Sequence, residues 1–221
     1  MSRRTWWIAG GLVALLAAGL VGGPLVYAAL QDDAPAAQAV ASQPEGVELS
    51  AETDGTWTVV DGSTAGYRVD EVLNGADVTV AGTTDQVDGT VVVEDGDLAE
   101  AEVAVDVASI ATDSGRRDSY FRDNVMDVAQ HPSATFTVDG PVDLPELSGT
   151  PVTVPVTGDL TVAGTTQQVQ FELSVVRTPD GVDTSGSIPL TFADFGIEAP
   201  NLGFVSVEDQ GSVEFLLHLA M

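Results

Sequence analysis

The strongest constraint on this chain is a two-residue rhythm that recurs through its second half. Val152, Val154, Val156, Leu160 and Val162 alternate with Thr153, Pro155, Thr157, Asp159 and Thr161. Val169, Phe171, Leu173 and Val175 alternate in the same way with Gln168, Gln170, Glu172 and Ser174. Shorter stretches at 103–107, 187–192 and 213–219 repeat the pattern. Successive side chains of a strand point to opposite faces, so each stretch specifies a strand with one greasy and one wet face. Parallel sheets sandwiched by helices give continuous apolar runs instead, and the reading is therefore antiparallel sheet.

Turn chemistry supports it. Val93-Glu94-Asp95-Gly96, Ala163-Gly164-Thr165-Thr166 and Thr178-Pro179-Asp180-Gly181 separate apolar stretches with the residues that hairpins favour. Roughly eight to ten strands fit into residues 56–221, and closing about eight into a barrel removes exposed edges and leaves room for one small ligand. Periodicity alone fits a two-sheet sandwich equally well. The sequence also repeats itself: VTVAGTTDQV at 78–87 and LTVAGTTQQV at 160–169 read as two hairpins using the same Gly-Thr turn. One segment breaks the rhythm. Residues 113–127, with Tyr120, Phe121, Val125 and Met126, space their apolar side chains as one or two helical turns against a core, and the segment ends before His131-Pro132.

The first quarter has a different organisation. Residues 6–30 carry no charge, follow Arg3 and Arg4, and precede Asp32 and Asp33. At 1.5 Å per residue such a run crosses a hydrocarbon core of about 30 Å. Residues 1–5 are then cytoplasmic, and everything after Leu30 is extracytoplasmic. A cleaved signal peptide is the competing reading, since Ala37-Gln38-Ala39 resembles a cleavage site and Ser2-Arg3-Arg4 a twin-arginine signal, although the apolar run exceeds the usual signal core. Residues 31–55, rich in Ala, Pro and acid, read as an extended, solvated linker to the domain at 56–221.

Charge excludes some functions. There is no lysine, and all 34 acidic residues lie beyond position 31, opposed there only by Arg68, Arg116, Arg117, Arg122 and Arg177. Such a field repels phosphate backbones, so no nucleic-acid partner is expected, and it disfavours flat docking on anionic headgroups. Solubility or adaptation to salt accounts for the acidity without a recognition role. The chain has no cysteine, and His131 and His218 have no companion at metal-ligand spacing. Nucleophile-elbow, zinc-protease and Walker motifs are absent, so no catalytic residue and no enzyme activity are expected.

Two groups remain as site candidates. Arg116, Arg117 and Arg122 concentrate positive charge, which suits a guanidinium clamp on a phosphate-bearing headgroup. They also stand at helix ion-pair spacing from Asp113 and Asp118, and local pairing explains them as well. The phenylalanines, spread over several elements, read as core or as the wall of a barrel interior.

Residues 109–137, 156–173 and 192–197 resemble the YceI-like family of polyisoprenoid-binding proteins. The shared pattern is Ser109-Ile110, Arg117-Asp118, Pro132 to Phe136, Gly158 to Thr161, and Phe195 to Ile197, in order. The resemblance implies an all-β, extended lipocalin-like barrel with one short helical segment, behind the N-terminal transmembrane helix. It implies a long-chain lipid, a polyisoprenoid above all, as partner in an apolar tunnel, and no cofactor other than such a bound lipid. The tunnel wall is then expected from Phe121, Met126, Phe136, Phe171, Leu173, Phe192, Phe204, Phe215 and Leu217, with Arg116, Arg117 and Arg122 toward the headgroup. Two departures stand out: residues 162–166 lack the family's hairpin histidine, and Val125-Met126 replaces a Phe-Phe pair. A structural or adhesive β-domain on a membrane stalk is the alternative, and oligomeric state is open, a dimer included.

Overall fold

The computed structural model describes residues 34–51 and 53–221. The expected cytoplasmic tip and membrane segment, residues 1–30, lie outside the described residues, among which no helix is long and apolar enough to cross a membrane.

Eleven strand segments form the sheet: β1 (Gly55–Val59), β2 (Thr64–Leu73), β3 (Ala76–Thr84), β4 (Val87–Glu94), β5 (Asp97–Asp106), β6 (Ser133–Val138), β7 (Val142–Asp143), β8 (Val152–Val162), β9 (Thr165–Arg177), β10 (Val182–Thr191) and β11 (Val205–Ala220). All their pairings are antiparallel. β1 and β2 both pair with β11 on the same side, and on their other edges β1 pairs with β4 and β2 with β3, so β1 with β2 fills one place in the wall and β3 with β4 the next. The wall has eight places and closes between β1 and β11, at Thr58↔Ala220 and Val59↔Leu219. The architecture is a closed, eight-stranded antiparallel barrel, which excludes the sandwich.

The alternating stretches fall in strands, except that Val107 and Phe192 at the ends of two of them begin 3-10 turns, and their apolar sets face inward. In β8, Val154, Val156, Leu160 and Val162 are buried while Thr153, Pro155 and Asp159 are exposed. Asp95 and Gly96, and Ala163 and Gly164, take positive φ in two-residue hairpin turns, as the connectors require. The first copy of the repeat differs from expectation, because its Ala81-Gly82-Thr83-Thr84 lies within β3 and makes no turn. Gly82 serves close approach instead: it pairs with Tyr67, and a Cβ there would sit 2.6 Å from the Tyr67 ring. Only the second copy turns the chain.

The helical segment is present as a short helix, α1 (Gly115–Tyr120), continued by one π turn over Phe121–Val125. It packs where β5 has ended, and Thr83 and Ala111 exchange two backbone hydrogen bonds of 3.0 Å that tie its approach to the free edge of β3.

Of residues 31–55, expected as an extended, solvated spacer, the described residues 34–51 and 53 run along the outside of the barrel. Ala34 N–H donates to Thr79 O (3.0 Å), Arg68 Nη2 to Pro35 O (2.6 Å), and Val40 N–H to Ser185 Oγ (3.1 Å). Farther on, Gln43 N–H donates to Gly149 O, and the buried Arg177 holds Ser50 O (2.9 Å) and Thr53 Oγ1 (3.0 Å). These bonds reach groups of the folded barrel, which local composition does not encode.

Inside, aromatic rings divide the barrel. Phe136, Phe171 and Phe215 stack edge to face with centroids 5.5 and 5.8 Å apart. Gly186 makes space for them, since a Cβ there would stand 2.7 Å from the Phe215 ring. Below lies a packed core of Trp57, Val154, Val175, Val182, Leu217 and Leu219, with a void of only about 50 Å³. Replacing Phe171 by Ala is expected to cost about 3–5 kcal/mol in urea unfolding, the usual range for a buried aromatic. A loss under about 1 kcal/mol would show that the triad is not a tightly packed partition.

Candidate functional site

Above the aromatic partition the barrel is not filled. A cavity of about 820 Å³ lies between the inner faces of β2 and β11, the helical segment, and the loop preceding β11. Its wall is mainly apolar: Ala65, Val69 and Leu73 from β2, Val205 and Val213 from β11, and Val107, Ile110 and Met126 from the segment that replaces β5. The π turn matters here. Met126 N–H donates to Phe121 O at 2.9 Å, a spacing of five residues, and Met126 is buried as a result of this extra residue in the turn. The mouth is apolar too, with Leu202 and Phe204 at 48% and 58% exposure on its rim.

One wall carries polar groups. Glu71 occurs in phase with the apolar set Ala65, Tyr67, Val69 and Leu73, so the strand aims its carboxylate inward, where it is 6% exposed. Arg117 reaches it from α1, with Nη2 3.6 Å from Oε1. The same guanidinium donates through Nη1 to Asp113 (2.5 Å) and Thr112 Oγ1 (3.3 Å). Burial pushes the Glu71 carboxyl above its ordinary value, and Arg117 opposes that shift only in part. Tyr67 stacks on Phe121 at 4.8 Å, and burial raises its phenol to about 12, so it stays neutral.

The expected wall residues fall into two groups. Phe121, Met126, Phe192 and Phe204 border the cavity. Phe136, Phe171 and Phe215 form the partition, while Leu173 and Leu217 pack in the core beneath it. Of the arginines, Arg116 and Arg117 border the cavity. Arg122 does not, and its Nη2 donates to Ser119 Oγ (3.3 Å). The pairing of Asp113 with Arg117 is present, but the expected Asp118–Arg122 pair is not. Asp118 is buried and instead accepts from Thr112 N–H (2.9 Å) and Oγ1 (2.7 Å), bracing the turn that leads into α1. Sequence reasoning passed over Glu71 and Tyr67. The available signal was a carboxylate on the apolar phase of YRVDEVL.

The chain is thus a closed antiparallel β-barrel with a packed base and an apolar chamber above it. The chain belongs to the YceI-like family, whose domain matches residues 57–219. In fold it is similar to a polyisoprenoid-binding domain from Saccharophagus degradans, at 21% identity and a TM-score of 0.61, covering 74% of this chain and 97% of that one. It is likewise similar to Burkholderia cenocepacia BcnA, at 20% identity and a TM-score of 0.58, covering 72% and 96%. No curated protein matches the chain.

The raised Glu71 carboxyl makes a prediction about pH. A group whose value rises on folding contributes stability in full below its ordinary 4.5 and loses it as pH climbs through the folded value. Glu71→Gln should therefore melt no lower than wild type at pH 7, with its advantage shrinking toward pH 4. Thermal unfolding of both proteins across that range checks it, and an advantage that grows on acidification contradicts it.

Proposed function

We propose that the domain binds a long apolar lipid chain, of the polyisoprenoid kind, in the chamber above the aromatic partition, as a carrier, store or sensor. The cavity itself carries this reading. Some 820 Å³ of largely apolar space in a barrel whose other half is densely packed is room that the fold could have filled and did not. Membership of the YceI-like family and the fold likeness to a polyisoprenoid-binding domain support the choice of ligand. Each methylene withdrawn from water contributes roughly 0.8 kcal/mol, so ten supply about 8 kcal/mol before the costs of association are subtracted. A ligandless adhesive domain has no use for such a chamber.

The same proposal places the domain outside the cytoplasm, held by residues 6–30. The charge-free run behind Arg3 and Arg4 supports it. Within this reading the strap sets an orientation: Ala34 is bonded to Thr79 of β3, which pairs with Asp70 next to Glu71, at the cavity end of the barrel. An anchor preceding Ala34 would thus set the cavity end nearest the bilayer.

Organic extraction of the purified full chain, followed by mass spectrometry, should yield a long-chain lipid near one per protein. Val213→Trp places an indole in the chamber and should lower that yield about tenfold, the loss of roughly two buried methylenes. Lipid-free extracts from wild type, or an undiminished yield from Val213→Trp, would count against the chamber as the site.

A further inference from the structure

Resting on the lipid-binding reading, we infer that the chamber accepts a chain whose polar end is uncharged, such as an alcohol, ester or quinone oxygen, and rejects the diphosphate form. Arg117, the cationic group best placed to meet a phosphate, is already engaged. Its two terminal nitrogens face Glu71, Asp113 and Thr112 at 3.6, 2.5 and 3.3 Å. A diphosphate that drew Arg117 away would strand the Glu71 carboxylate, 6% exposed, without a counter-charge, and removing one partner of a buried pair is costly. A diphosphate that left Arg117 in place would bring its charge up to two carboxylates already there.

The ionisable groups bordering the chamber balance. Glu71 and Asp113 offset Arg116 and Arg117. Arg116 makes no hydrogen bond or ion pair among the described residues, but it is exposed on the rim, where water and salt screen an ion pair to little value. Beyond the rim, the acidic surface repels an approaching anion.

What remains suits an uncharged oxygen. The Tyr67 phenol stays protonated and can donate or accept, and Arg117, Glu71, Asp118 and Asp113 all lie close enough to act on it. Ser114, at the start of α1, borders the same space and adds a hydroxyl. An alcohol or carbonyl oxygen bonds to such groups without disturbing the Glu71–Arg117 pair.

The test compares two ligands with one tail, geranylgeraniol and geranylgeranyl diphosphate, bound to the detergent-solubilised full chain and read by native mass spectrometry and competition. Wild type should favour the alcohol by about tenfold or more. Glu71→Gln and Asp113→Asn should each narrow that preference by releasing Arg117. Asp113 is largely exposed, with 66% of its side chain accessible, so its variant keeps the test open if Glu71→Gln folds poorly. Wild type that binds the diphosphate as tightly as the alcohol, or an unchanged preference in Asp113→Asn, overturns the inference. If neither ligand binds, it is the lipid-binding reading that falls.

Discussion

The fold turns on β11, the one strand that touches both ends of the wall. Along one edge it pairs with β10 from Gln210 to Leu219, and along the other with β2 and then β1. Its register against β2 shifts between Val207 and Gly211, which bends the strand, and the change of partner from β2 to β1 follows between Leu216 and Leu219. Toward the C-terminal end of β11 the ring is complete and its interior is packed around Leu217 and Leu219. At the opposite end β5 has stopped at Asp106, and the outer edge of β3 pairs with no further strand among the described residues, holding instead the Thr83–Ala111 bridge and the bond from Ala34 N–H to Thr79 O. The helical segment covers the gap without filling the interior as a strand's inward residues would, and the chamber is the space left between Val205, Val207 and Val213 on one side and Ile110 and Met126 on the other.

That division has an energetic logic. A cavity forfeits the dispersion contacts its lining would otherwise make, and a void of this size works against stability unless something occupies it. Concentrating the packing in the lower half, around Trp57 and beneath the Phe136–Phe171–Phe215 partition, lets that half hold the ring closed while the upper half stays open. A ligand that binds only the folded chain then adds stability in proportion to its occupancy.

Much of this was legible in the sequence, for identifiable reasons. Strands such as β8 and β9 announce themselves because one side of each faces water, and the alternation of Val154, Val156 and Leu160 with polar neighbours follows directly. Asp95-Gly96 and Gly164 are legible because positive φ selects glycine and aspartate, whereas Ala163 takes it without being a favoured type. Gly82 misled because close approach to Tyr67 selects glycine just as a turn does, and local sequence does not separate the two causes. The strap at 34–53 was hidden because its partners, among them Thr79, Ser185 and Gly149, are distant in sequence. Phenylalanine content likewise could not assign Phe136, Phe171 and Phe215 to a partition and Phe121, Phe192 and Phe204 to a chamber. All six are apolar, and only the ring-to-ring geometry decides.

The arginine cluster shows why charge spacing underdetermines a site. Asp113 and Arg117 are one helical turn apart and pair, whereas Asp118 and Arg122 have the same spacing and do not. The difference is burial. Asp118 is enclosed and takes Thr112 N–H and Oγ1, donors fixed by the turn, in preference to a long side chain that loses rotamer freedom on pairing. Bracing that turn in turn aims Arg117 across the chamber at Glu71, a residue 46 positions away on β2. The polar wall of the chamber is thus a tertiary product: one carboxylate fixes the loop, the loop directs a guanidinium, and the guanidinium makes a second, buried carboxylate tolerable.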